Sequence, residues 1–367
     1  MPLPAPNERL ALWLMAIRPR TLVLIAAPML VGAVYGVTMG TPQPPLGMVA
    51  AALAALLIQI ATNLANDAHD GARGLDDPAT RLGPPRVTGL GLMPAATVRR
   101  GALLASLGAA LAGLVAAAAG GWPILAIGMV SLPLAWAYSA GPRPISASPF
   151  GEVFVIAFFG LAASMGMGWL AGRIADGPLL LLGIAMGLTA AAVLTVNNHR
   201  DRAGDARNGR RTLAIVLGPA ATLRLYAAEL GGAALIAALA LWQLRGAAGL
   251  APLALLPGAV HLARRLVATP IGPALNACLG ATLAYAVALA LIVSAVLILG
   301  ERLHPSPGAF SGRVTGAPAF FQAPNPPSTC ATGFSPMSCA VFAASAERQP
   351  PAQKNTKVLS SWNTGLA

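Results

Sequence analysis

Nine runs of about twenty apolar residues, separated by short polar connections, fill most of the chain between residues 20 and 300. They fall at roughly 22–39, 46–65, 101–119, 122–140, 151–172, 179–197, 220–242, 249–268 and 274–299. At the 1.5 Å rise of an α-helix, each run matches the ~30 Å hydrocarbon core of a bilayer. Such a chain is expected to fold as an all-α membrane protein, a bundle of about nine transmembrane helices. Only 10% of the 367 residues are charged, against roughly 25% in ordinary soluble domains, which excludes a soluble globule. Glycine recurs inside nearly every run, which suits helices packed closely through small residues. The first run lacks a small-residue cleavage pattern and reads as a retained span.

The placement of the positive charge orients the bundle. Of the 24 Lys and Arg residues, 17 fall in the N-terminal segment and the even-to-odd connections, two (Arg173 and Arg245) in the opposite loops, and five in the C-terminal tail. By the positive-inside rule the N-terminus and the charged loops are cytoplasmic, and nine crossings leave the C-terminus outside. The expected location is the cell's inner (plasma) membrane, with the lipid bilayer as partner. The net charge of +12 does not indicate nucleic-acid binding, because the arginines flank spans instead of forming one face.

The chain divides near residue 303. Residues 1–303 read as one transmembrane domain. Residues 304–367 are rich in Pro, Ser, Ala and Gly without periodicity, and a disordered tail is the expectation. Cys330 and Cys339 lie in that tail and Cys278 in the last span; none has zinc or haem spacing.

A weak repeat marks the ends of the second and sixth spans. Asn63-Leu64-Ala65-Asn66-Asp67-Ala68-His69-Asp70 follows one, and Asn197-Asn198-His199-Arg200-Asp201-Arg202-Ala203-Gly204-Asp205 follows the other. Four crossings separate them, so both emerge on the same side. Asp67, Asp70, Asp76, Asp77, Asp201 and Asp205 make up half of the twelve acidic residues. On helices, Asn63, Asp67 and Asp70 share one face, as do Asn197, Asp201 and Asp205. Two acidic stripes at a membrane edge repel unless a cation intervenes, and Mg²⁺ typically takes one or two carboxylates together with substrate phosphate oxygens. The arginines interleaved with both stripes match phosphate geometry. A diphosphate gripped between the stripes through magnesium is the reading these residues support. Tyr138 opens a third loop and reads equally as an interfacial anchor or as a site residue. His69 and His199 read as polar neighbours of the site. The clustered acids lie at one edge of the bilayer, which disfavours a transport route. A CDP-alcohol phosphotransferase signature fails on spacing after Asp67-x-x-Asp70-Gly71.

With these motifs the chain resembles the UbiA prenyltransferase superfamily, whose members have nine transmembrane helices and two Asp-rich motifs; the correspondence falls on Asn63/Asp67 and Asp201/Asp205. Within it, four stretches are similar to the 1,4-dihydroxy-2-naphthoate polyprenyltransferases of menaquinone synthesis: Arg18–Thr21, Arg81–Arg86, Gly151-Glu152 through Gly160, and Asn197–Asp201 through Ala214. The resemblance covers about residues 10–300. It implies Mg²⁺-dependent transfer of a polyprenyl group from polyprenyl diphosphate to an aromatic acceptor, dihydroxynaphthoate, with decarboxylation to demethylmenaquinone. Acceptors such as 4-hydroxybenzoate or homogentisate are the alternative. The implied metal ligands are Asp67, Asp70, Asp201 and Asp205, and the implied catalytic set is Asp67, Asp201, Asp205 and Tyr138. Asn63, Asn66, Arg73, Arg143, Asn197 and Arg211 would contact substrate. Some members carry a further Asp where this chain has Gly74.

Overall fold

The computed structural model describes residues 6–74, 81–141 and 144–303. The tail expected at 304–367, Arg143, Asp76 and Asp77 lie outside the described residues.

A short helix α1 (Pro6–Ile17) and a 3₁₀ turn (Pro19–Leu22) lead into α2 (Val23–Met39), followed by α3 (Leu46–Ala72), α4 (Ala95–Gly120) and α5 (Trp122–Ser139). The next pass is α6 (Gly151–Val155), a π-helical stretch (Ile156–Ala162) and α7 (Ala163–Gly172) in continuous succession. Then come α8 (Gly177–Arg207), α9 (Leu213–Arg245), a 3₁₀ stretch (Gly246–Leu255), α10 (Leu256–Ala268) and α11 (Leu275–Leu303). Among the described residues every regular element is helical, as a chain that must satisfy its backbone polar groups in lipid requires.

Among the described residues, eight helical segments are long and apolar enough to cross a membrane, the longest being Leu213–Ala268 with 56 residues. That segment consists of two limbs. After Arg245 the chain doubles back, so that Gly249 lies against Leu241 and Trp242, and Leu262 and Leu266 of α10 cluster with Tyr226 and Leu230 of α9. Counted as two, the limbs bring the passes among the described residues to the nine that the apolar pattern predicts. Gly218, at φ 74°, and Pro219 break the first turn of α9 from the rest, which is why the apolar run starts several residues after the helix.

In lipid, helices gain little by hiding apolar surface from one another, so close packing decides their arrangement. Gly32 and Gly36 of α2 and the Gly40 that follows it recur every four residues and face Ser164, Gly168 and Gly172 of α7. A Cβ added at Gly36 would stand 2.7 Å from the Gly168 carbonyl oxygen and 2.5 Å from Ala171 Cβ. The two backbones therefore touch along the whole seam. Gly160 of the π stretch meets Gly183 and Gly187 of α8 in the same way. Helix α8 is the hub: Leu179, Leu182, Ala185 and Met186 pack with Val31 and Tyr35 of α2, Ala233 and Ala237 of α9, and Leu289 and Val293 of α11. By contrast α4 exposes Leu103, Leu104, Leu107, Leu111 and Leu114, a lipid-facing stripe.

Candidate active site

Helices α3 and α8 contain 27 and 31 residues, more than the ~20 that cross the hydrocarbon core. Their last turns therefore stand past the apolar layer, carrying the two Asn/Asp segments. Arg210 joins the segments. Its guanidinium lies 3.4 Å from Asp70 Oδ1 on α3 and 3.4 Å from Asp205 Oδ1 on α8, so both carboxylates flank one cation. Arg86 approaches the other oxygen of Asp70 at 3.4 Å.

On α8, Arg200 is almost fully enclosed, at 1% exposure, and holds a fixed fork. Its Nε and Nη2 donate to the two oxygens of Asp201 at 2.8 and 2.6 Å, Nη2 also to Asn197 Oδ1 at 2.6 Å, and Nη1 to Asn276 Oδ1 at 2.6 Å. Asn276 donates in turn to the Leu82 carbonyl at 3.3 Å. The 81–86 loop is thereby tied over the end of α8, and Gly83 is needed there, since a Cβ would stand 2.6 Å from Arg200 Nη2.

These groups form the mouth of a cavity of about 890 Å³. Among the described residues, three aspartates (Asp70, Asp201 and Asp205) and seven arginines line it. That excess of guanidinium suits an anion carrying several charges. Deeper in, the lining turns apolar through Ile25, Met29, Ile58, Ile127 and Leu170. Between the two regions stands an aromatic wall: Tyr138 stacks on Phe154 with centroids 5.1 Å apart, and Phe154 on Phe158 at 4.4 Å. The wall ends on the π-helical stretch, a distortion that commonly marks functional positions.

Of the expected stripe Asn63, Asp67 and Asp70, the first and last line the cavity together with the expected Asn66, and Asp67 does not. Asn66, Asp70 and Gly74 line the cavity at i, i+4 and i+8, and match Asn197, Asp201 and Asp205 on α8. Asp67 is not among the lining residues. It is buried on another face of α3, where Oδ1 accepts from the Thr88 backbone N–H at 3.2 Å and lies in hydrogen-bond contact with the Thr88 hydroxyl. Through Oδ1 it anchors the loop before α4, while its Oδ2 is buried without a hydrogen-bond partner. Asn63 lines the cavity, but its amide donates to the Ile17 carbonyl at 2.8 Å and to Thr21 at 3.0 Å, so it ties α1 to α3. Arg73 and Arg211 are exposed and do not line the cavity. Arg210, Arg200 and Arg86 hold the positions that the sequence reading gave to them. His199 is buried and His69 partly so, and neither lines the cavity.

Asn66 Oδ1 is buried and has no hydrogen-bond partner. An orphaned oxygen one helical turn from Asp70 is a donor suited to a hard cation. Among the described residues no cluster of three His, Cys, Asp or Glu could hold a metal unaided, which is consistent with an ion completed by phosphate oxygens and water. Asp70 with Asn66, and Asp201 with Asp205, are the groups placed to hold one.

One acid departs from the edge-clustered pattern. Glu229 lies within the α9 span, 3% exposed, and accepts from the Thr195 hydroxyl at 3.1 Å. It does not line the cavity, so it does not make the cavity a transport route.

The sequence profile of the UbiA prenyltransferase family matches residues 25–270. A Mycobacterium tuberculosis protein named 1,4-dihydroxy-2-naphthoate octaprenyltransferase is 36% identical over 216 residues, covering 59% of this chain and 73% of the relative. The Escherichia coli protein of the same name is 34% identical over 238 residues, covering 63% and 77%. Among solved structures, a UbiA homolog from Archaeoglobus fulgidus bound to DMAPP and Mg²⁺ superposes with a TM-score of 0.55 at 16% identity, covering 76% of this chain and 99% of that one. At that identity the likeness concerns the fold.

Proposed function

The chain belongs to the UbiA prenyltransferase family, and from that premise we propose that it transfers a polyprenyl group from polyprenyl diphosphate to 1,4-dihydroxy-2-naphthoate, releasing carbon dioxide. It is a multi-pass membrane prenyltransferase. The observation that carries the finer reading is the convergence of Asn66/Asp70 and Asn197/Asp201/Asp205 on one arginine-rich cavity mouth that continues into an aromatic and then an apolar chamber. The names of the relatives favour the naphthoate acceptor. The distribution of arginines supports a mouth at the cytoplasmic face.

The division of labour follows from the lining. The diphosphate belongs at the mouth, where Arg86, Arg200 and Arg210 present guanidinium forks and where Asp70, Asp201 and Asp205 would hold magnesium. When bound, magnesium supplies positive charge that stabilises the departing diphosphate. Arg210, shared by Asp70 and Asp205, stands where its guanidinium could also reach phosphate oxygens. The C–O bond of the allylic diphosphate breaks with its electron pair leaving on oxygen. Positive charge then develops beside the aromatic wall of Tyr138, Phe154 and Phe158, whose ring faces stabilise a cation. A ring carbon of the acceptor forms the new C–C bond, and the electrons of the carboxyl C–C bond return to the ring as carbon dioxide departs. The apolar chamber takes the isoprenoid tail and keeps water from the cation.

The test is to incubate membranes containing the protein with dihydroxynaphthoate, a polyprenyl diphosphate and Mg²⁺, and to look for demethylmenaquinone by mass. Its appearance, abolished by chelation of Mg²⁺, is expected. Turnover of 4-hydroxybenzoate or homogentisate but not of dihydroxynaphthoate would overturn the assignment of acceptor.

A further inference from the structure

Two residues next to the diphosphate pole remain unexplained by the mechanism above. Asn198 lines the cavity, and Glu152, in the first turn of α6, accepts from its amide Nδ2 at 2.9 Å. Both are enclosed, at 7% and 4% exposure. A carboxyl group is costly to enclose unless its oxygens are hydrogen-bonded, yet Glu152 makes no ion pair among the described residues and its Oε2 has no hydrogen-bond partner. The expense calls for a role.

Position supplies one. Along α8 the cavity lining changes character at Asn198. Within about two turns towards the N-terminus it is apolar, through Leu194, Val193 and Ala190, and within about two turns towards the C-terminus it is charged, through Arg200, Asp201 and Asp205. Asn198 therefore stands at the boundary where the diphosphate ends and the isoprenoid begins, the level of the carbon that must be attacked. Glu152 belongs to the same turn of α6 as Phe154 of the aromatic wall.

Chemistry fixes the orientation. The Asn198 amide nitrogen donates to Glu152 Oε1, and a carboxyl oxygen in that place is the acceptor for an N–H. Glu152 thus holds the NH₂ side of the Asn198 amide towards itself. The carbonyl Oδ1 makes no hydrogen bond to the protein among the described residues, and is left as an acceptor at the cavity wall.

We propose that Asn198 Oδ1 accepts a hydrogen bond from a ring hydroxyl of the phenolic acceptor, and that Glu152 is the positioning residue that keeps this oxygen turned to the substrate. Accepting that bond places the ring beside the allylic carbon and raises its electron density, and it selects hydroxylated rings over their ethers. The inference rests on the aromatic prenyltransfer proposed above, but not on which phenol is used.

The experiment measures KM and kcat separately for the two substrates, with whichever of dihydroxynaphthoate, 4-hydroxybenzoate and homogentisate the wild-type protein turns over. The variants are Asn198→Ala, Glu152→Gln and the double variant. Asn198→Ala is expected to raise KM for the phenol about 3- to 10-fold, the worth of one hydrogen bond. KM for polyprenyl diphosphate should stay within about twofold. Wild type should prefer the free phenol over the monomethyl ether of one of its hydroxyls, and Asn198→Ala should lose that preference. Glu152→Gln, which keeps the shape but can donate to Asn198 and let the amide rotate, should shift the same KM in the same direction. It should add nothing to Asn198→Ala. An unchanged phenol KM in folded Asn198→Ala, an equal rise for the diphosphate, or additive effects in the double variant would each overturn the proposal. Failure of the wild type to prenylate any of the three phenols would overturn the functional reading itself.

Discussion

Replacing Asp70 and Asp67, three residues apart on α3, by asparagine should have opposite consequences. Asp70 lines the cavity mouth, with Arg86 and Arg210 each 3.4 Å from one of its oxygens. Asp70→Asn keeps the shape and removes one of three lining carboxylates while all seven lining arginines remain. Ground-state attraction for a diphosphate is then undiminished, so KM for polyprenyl diphosphate should not rise. What disappears is an anchor for the cation that stabilises the leaving group. The loss of one such electrostatic contribution costs about 10²–10³ in kcat. Asp67→Asn acts elsewhere: its Oδ1 serves Thr88, and an amide oxygen can accept the same backbone N–H. The expected result is a stability loss of about 1 kcal/mol and kcat within about threefold of wild type. Steady-state turnover in detergent, with thermal unfolding of each variant alongside, decides the matter. A folded Asp67→Asn without activity beside an active Asp70→Asn would refute the placement of the first half-site.

The remaining predictions concern the clamp, the packing and the tail. Arg210→Ala, which removes the cation shared by Asp70 and Asp205, should raise KM for polyprenyl diphosphate about 10-fold or more, and Arg211→Ala by less than about threefold; equal effects would contradict the geometry. Gly36→Leu must push a side chain into α7, whose Ala171 Cβ would stand 2.5 Å from the new Cβ, and should lower the unfolding temperature in detergent by the equivalent of about 3 kcal/mol. Gly231→Leu, with nothing within 4 Å of its would-be Cβ, should not. Truncation after Leu303 should leave turnover intact, and loss of activity in that variant would give residues 304–367 a role.

The fold was largely legible because a bilayer imposes its own length scale. Apolar runs of one helix-length each required nine passes, and only the broken start of α9 and the doubling back after Arg245 blurred their edges. The site was legible as two acidic segments on one side of the membrane, and less so in its register. Asn63, Asp67 and Asp70 share a helical face as well as Asn66 and Asp70 do, and periodicity alone cannot say which face turns inward. That is set by the loop before α4, whose Thr88 claims Asp67. The choice among arginines was likewise beyond local pattern. Arg210 rather than Arg211 faces Asp70 because the chain turns at Gly209, φ 71°, whereas Arg200 had a local signal in its spacing from Asn197 and next to Asp201. Glu152 and Glu229 also carried a signal, as two of only twelve acidic residues placed in or beside apolar runs, where a charge needs a reason.

The central claim is that α3 and α8 grip one diphosphate between them. A structure solved with a non-reactive thiolo analogue of a polyprenyl diphosphate and Mn²⁺, with the metal located by its anomalous signal, measures this directly. Manganese and diphosphate lying between Asp70 and the Asp201/Asp205 pair, with the isoprenoid running past Tyr138, Phe154 and Phe158, is the predicted result. Metal held by one helix alone, or diphosphate outside the cavity, would contradict it.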